Sequence, residues 1–160
     1  MSAAADTTSP HRDVTATVGM IVFLGSWAVM FGALFFSFAA VRVRAETWPP
    51  DGLTRLPLLV PTIATVLLAL STVTRRALAV ALGVAFLVLQ GLVWRDAWQS
   101  GLRLDRGPYG AYFYLLTVFH AAHALVGLGL LAWVRGQNPV LFWHFVSGAW
   151  LCTFLLVYVA

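Results

Sequence analysis

Five apolar runs dominate the chain, at roughly 18–41, 57–74, 78–98, 110–134 and 140–159, with short polar stretches between them. A hydrocarbon core of ~30 Å takes ~20 helical residues, and each run meets or nearly meets that length. The runs lack strand-like alternation and exceed the ~10 residues of a barrel strand, so they predict helices. The second run is the shortest and is expected to recruit flanking residues. Arg75-Arg76 joins the second and third runs almost directly, and Gln137-Asn138-Pro139 joins the fourth and fifth, which forces antiparallel neighbours. The longer links hold the turn formers Trp48-Pro49-Pro50-Asp51-Gly52 and Asp105-Arg106-Gly107-Pro108. The pattern predicts an all-α fold, a five-helix transmembrane bundle over residues 18–160, with no internal repeat. Residues 1–17 are small and polar and lack the basic start and short apolar run of a signal peptide, so they read as a flexible N-terminal tail.

Composition agrees with a lipid solvent. Apolar types make up 61% of the 160 residues and charged types 10%, with a mean hydropathy of +0.86. A soluble domain would carry about 25% charged residues. All ten cations are Arg, and they stand singly or in pairs between the runs, as loop anchors do. No basic face forms, which excludes nucleic acid as a partner despite the formal charge of +4. Arg12, Arg75, Arg76 and Arg135 share the face of the N-terminus, against Arg42, Arg44, Arg55, Arg95, Arg103 and Arg106 opposite. Counted alone, that balance would place the N-terminus outside. Trp48, Trp98, Trp133 and Trp143 fall near run ends, where indole favours the membrane interface. Cys152 is the only cysteine, which excludes an intrachain disulfide and a thiolate cluster.

The polar residues inside the runs are few. In the first run Ser26, Met30, Ala33, Ser37 and Ala40 share one helical face, a stripe small enough for close helix packing. The second offers Thr62, Thr65, Ala69 and Thr72. In the third, Gln90 follows Gly83 and Phe86; an amide in hydrocarbon needs a partner, so Gln90 is expected to face a neighbouring helix. The fourth places Thr117, His120, His123 and Gly127 on one face, and the fifth adds His144 and Ser147. Membrane-embedded histidines usually face a bundle interior. His120, His123 and His144 could share a metal ion, clamp a haem, or bond to carbonyls, lipid or a neighbouring subunit. No carboxylate lies at depth to support a metal: Asp6, Asp13, Glu46, Asp51, Asp96 and Asp105 all fall in the tail, in links or near a run end. The same lack argues against a proton pump or ion-coupled transporter, and no nucleophile–base pair or phosphate loop is present.

The order of these motifs resembles the subunit III family of haem–copper terminal oxidases (cytochrome c oxidase subunit III). The resemblance runs from Phe23-Leu24-Gly25-Ser26 and Met30-Phe31 through Trp48-Pro49-Pro50, Thr65 to Ser71, and Phe86-Leu87-Val88-Leu89-Gln90. It continues through Tyr109-Gly110 and Leu116-Thr117 to His120 and His123, and closes on Trp143-His144-Phe145-Val146 and Trp150. It implies the short five-helix form of the family, in a bacterial inner membrane, with a cytoplasmic N-terminus and a periplasmic C-terminus. It also implies a non-catalytic chain that binds no cofactor itself and packs against subunit I, which holds haem and copper, and against subunit II. Such a chain stabilises the catalytic subunit, supports proton uptake and binds membrane lipids. The candidates for polar, lipid or subunit contact are Ser26, Thr65, Gln90, Thr117, His120, His123, Gly127, His144 and Ser147. The chain departs from the family where Trp27, Val93 and Ser147 stand in place of acids and Val118 in place of glycine. Two alternatives remain at this point: an accessory subunit of a nitric oxide reductase, and a small haem- or quinone-binding redox protein using His120, His123 and His144.

Overall fold

The computed structural model describes residues 10–48, 57–105 and 107–159, with side chains from residue 14 onward. It is all-α: α1 (Pro10–Arg44), α2 (Leu59–Ser71), α3 (Arg76–Gln99), α4 (Pro108–Trp133) and α5 (Asn138–Phe154), the last continuing into a π-helical turn (Leu155–Val159). Four stretches are long and apolar enough to cross a bilayer: Val14–Arg44, Arg76–Gln99, Pro108–Trp133 and Asn138–Val159. The chain is a multi-pass membrane protein. α2 has 13 residues and is the short member, as its run suggested; at ~1.5 Å per residue it spans only ~20 Å.

Local chemistry sets most of the helix ends. Pro108 and Pro139 open α4 and α5, where a missing N–H costs nothing and the fixed φ suits a first turn. Gly107 precedes α4 at φ +110°, a backbone region closed to most other residues. At the tight α2–α3 link the hydroxyls of Thr72 and Thr74 donate back to the Ala69 and Ser71 carbonyls at the end of α2. α1 begins at Pro10, earlier than the expected start at 18. Proline is well suited to a first turn, and Thr15, Ala16 and Thr17 do not break the helix behind it. Residues 1–9 of the expected tail lie outside the described residues.

The core follows the bundle's length in two clusters. One joins Leu68 of α2, Phe86 of α3, Ala124 and Leu128 of α4, and Phe142, Trp143, Val146 and Trp150 of α5. The other joins Phe38 of α1, Val93 of α3, and Tyr109, Phe113 and Leu116 of α4. α1 is the outermost helix. It is held through Phe31, Phe38 and Trp27, whereas Ser26 and Ala33 of the expected packing stripe are exposed. The reason is area: a large ring buries far more surface than a small side chain, and Phe31 and Phe38 set the buried face.

Trp143 corrects the sequence expectation most sharply. Trp133 is 85% exposed and Trp98 is exposed too, as interface residues are, but Trp143 is 2% exposed and lies in the core. Two glycines make room for it. A Cβ at Gly127 would lie 2.9 Å from Trp143 Cε3, and one at Gly83 would lie 2.8 Å from Trp143 Cη2. The indole therefore fills a slot between α3 and α4. Gly127→Leu is expected to lower the unfolding free energy in detergent by about 1–3 kcal/mol, the cost of overpacking a filled core. Gly25→Leu on α1, where a Cβ meets nothing within 4 Å, should leave it unchanged. Equal effects of the two substitutions in a denaturant titration would contradict this packing.

Candidate functional site

A repeated unit of polar chemistry links the helices. An indole N–H donates to a hydroxyl on another helix, and that hydroxyl donates to a carbonyl of its own helix. Trp143 donates to Ser71 Oγ at 2.9 Å, and Ser71 to the Leu68 carbonyl at 2.6 Å. Trp150 donates to Thr65 Oγ1 at 2.9 Å, and Thr65 to the Pro61 carbonyl at 2.8 Å. Trp94 donates to Thr117 Oγ1 at 3.0 Å, and Thr117 to the Phe113 carbonyl at 2.7 Å. Two of these units fasten α2 to α5 and one fastens α3 to α4. Ser37 and Tyr112 share a 2.6 Å hydrogen bond between α1 and α4. In each unit a serine or threonine can serve both groups because its hydroxyl donates once and still accepts. In lipid no water competes for these groups.

The fully enclosed Gln90 faces a neighbouring segment, as expected. Its amide nitrogen lies 3.4 Å from the hydroxyl of Tyr158, which the π-helical turn carries, while its Oε1 is enclosed without a partner among the described residues. His120 is also fully enclosed. Its ring stands perpendicular to Phe86 at 5.8 Å and tilted against Trp150 at 4.9 Å, and neither ring nitrogen has a hydrogen-bond partner among the described residues. Three helices thus surround a small polar centre lined mainly by aromatic rings.

His123 and His144 behave alike and differ from His120. His123 Nδ1 lies 2.7 Å from the Phe119 carbonyl, and His144 Nδ1 lies 2.8 Å from the Val140 carbonyl. A carbonyl only accepts, so in each ring Nδ1 holds the proton and a neutral ring keeps Nε2 as an acceptor. Trp27, where the resemblance leads one to expect an acid, stands edge-on to His123 with ring centroids 4.2 Å apart. An aromatic ring thus lies against that imidazole. Val93, at a second such position, is buried among apolar side chains.

The structure separates the three histidines. His120 is in the core, His123 is at the α1–α4 contact, and His144 is exposed on α5. Among the described residues no three potential metal ligands come together. A metal or haem held jointly by His120, His123 and His144 does not fit this arrangement. Of the other candidates, Thr65 and Thr117 lie in the linking units, Gly127 lies under Trp143, and Ser26 is exposed with its hydroxyl on the Val22 carbonyl. Ser147 lies one turn from His144, with Oγ enclosed and unbonded among the described residues. The indoles of Trp94, Trp143 and Trp150 and the hydroxyl of Ser71 were not singled out as linking groups from the sequence. A Ser or Thr on one run and a Trp in the interior of another is the signal that could have found them.

No family model matches the chain. It is 30% identical to the cytochrome c oxidase subunit 3 of Thermostichus vulcanus, over 98% of this chain and 92% of that protein. It is 30% identical to the cytochrome c oxidase subunit 3 of Pisaster ochraceus, over 88% of this chain and 68% of the relative. A third relative of the same description, from Synechocystis sp., is 26% identical over 88% of this chain and 73% of its own length.

The linking units generate a direct energetic expectation. In a double-mutant cycle of Ser71→Ala and Trp143→Phe, followed by unfolding in detergent, the coupling energy should be about 0.6–1.7 kcal/mol, the range for interhelical hydrogen bonds in membranes. Strict additivity would mean that the indole–hydroxyl bond does not hold α2 to α5.

Proposed function

The chain belongs to the cytochrome c oxidase subunit 3 family, and from that premise we propose that it is the non-catalytic subunit III of a bacterial haem–copper terminal oxidase. The match over 98% of this chain and 92% of the Thermostichus vulcanus protein carries the reading, because a shared core alone would not reach both ends. In this proposal the haems and copper belong to the neighbouring subunit I, with subunit II alongside. This chain adds a membrane-embedded flank that stabilises the catalytic subunit and supports proton uptake. The bilayer is the bacterial inner membrane, with the N-terminus cytoplasmic and the C-terminus periplasmic.

The disposition of polar groups supports the reading. Thr65, Ser71 and Thr117 are committed to indoles, and His120 is wedged between aromatic rings. These groups hold helices together instead of facing a substrate. A groove of about 300 Å³ between α1, α4 and α5, walled by Phe23, Trp27, Val126 and Phe142, supports the lipid-binding part. Its walls are nearly all apolar and suit an acyl chain.

A tagged copy expressed in its native host, extracted in mild detergent, should co-purify with a haem–copper catalytic subunit identified by mass spectrometry. The chain purified alone should show no Soret band and no stoichiometric metal. Recovery of a nitric oxide reductase core, or a haem spectrum from the lone chain, would overturn the assignment.

A further inference from the structure

A groove of about 260 Å³ runs between α2 and α5 on the outside of the bundle. Ala69 and Thr72 form one wall; His144, Ser147, Gly148 and Leu151 form the other. A lipid-facing groove would ordinarily be apolar, because polar groups facing hydrocarbon are costly. This one is not. His144 is exposed there, and with Nδ1 committed to the Val140 carbonyl, its Nε2 is an acceptor that no described residue meets. Ser147 Oγ, one helical turn further along α5, is closed off within the wall and has no partner among the described residues. The hydroxyl of Thr72 across the groove is spent on the Ala69 carbonyl and donates to neither. The groove therefore presents an imidazole acceptor for which no described residue supplies a donor.

We propose that the α2–α5 groove is the seat of a transmembrane helix from another subunit of the oxidase, whose side chain places a hydrogen-bond donor on His144 Nε2. This inference rests on the proposed membership of an oxidase complex and names the surface through which it is made. Depth selects a polypeptide over a lipid. α5 rises ~1.5 Å per residue, so His144 and Ser147 lie roughly 9 Å and 14 Å along it from Asn138, inside a hydrocarbon core of ~30 Å. Acyl chains carry no donor there, whereas an amide, a hydroxyl or a protonated carboxyl on a helix does. Shape agrees: Ala69, Ser147 and Gly148 are small, and a Cβ at Gly148 would meet nothing within 4 Å, so a second backbone can approach closely.

The open space at Gly148 makes the test clean, because Gly148→Leu fills the groove without touching the chain's own core. The variant should insert and show an unchanged helical spectrum. Relative to wild type, it should recover the haem–copper subunit about tenfold less well from native membranes, and His144→Leu should reduce recovery in the same direction. A photo-crosslinking amino acid at Leu151 in wild-type background should form a covalent adduct with an oxidase subunit. Unchanged recovery with Gly148→Leu, or adducts only with lipid or with a second copy of this chain, would overturn the docking surface while leaving the oxidase assignment intact. If the wild-type chain recovers no haem–copper subunit, the oxidase assignment fails. The docking surface, proposed for an oxidase subunit, then fails with it, whatever protein the Leu151 adduct contains.

Discussion

The indole of Trp143 is the constraint on which the bundle depends. It sits in the slot above Gly83 and Gly127, and its N–H reaches Ser71. One side chain on α5 thus touches α3 and α4 through packing and α2 through a hydrogen bond. Water cannot compensate for a misplaced N–H in hydrocarbon, so the hydroxyl of Ser71 fixes the ring's orientation and the two glycines fix its depth. α2 has only 13 residues and little surface of its own to bury. The bonds from Trp143 and Trp150 are what tie it to α5 at two levels.

This economy explains why the interior holds polar side chains without resembling a reaction centre. Each serine or threonine in a linking unit donates to a carbonyl of its own helix and accepts from an indole, so it is saturated by structure. Gln90 and His120 are the exceptions. They occupy the centre of the bundle between Phe86, Trp150 and Tyr158, and each holds an atom without a partner among the described residues. An enclosed unbonded polar atom costs about 1–3 kcal/mol, and aromatic packing at that centre offsets it.

The outside of the molecule is as uneven as the inside. α1 leans on the bundle through Trp27, Phe31 and Phe38, bonds to α4 through Ser37, and leaves Ser26 and Ala33 outward. α5 shows an imidazole to the lipid side beside α2. A chain that functioned alone in a bilayer would gain from an apolar residue at that position, whereas a subunit of a complex can have a neighbour to meet it. Membership of the cytochrome c oxidase subunit 3 family and the polar α2–α5 groove are thus consistent with one another.

The length and spacing of the apolar runs were enough to determine the membrane class, the number of helices and their antiparallel order, because hydrocarbon thickness and backbone hydrogen bonding allow few alternatives. The same pattern pointed Gln90 toward a neighbour and put Thr117, His120, His123 and Gly127 on one helical face. The partner of each polar group was beyond it. Ser26 and Thr65 look equivalent as small polar residues on apolar helices, yet one is exposed on its own helix and the other accepts from Trp150 across the bundle. Trp143 and Trp133 both stand near run ends, yet only one is buried. Those outcomes depend on which helix lies opposite and on where a glycine leaves room for a ring. Both are contacts between residues distant in sequence, so the tertiary structure alone decides them.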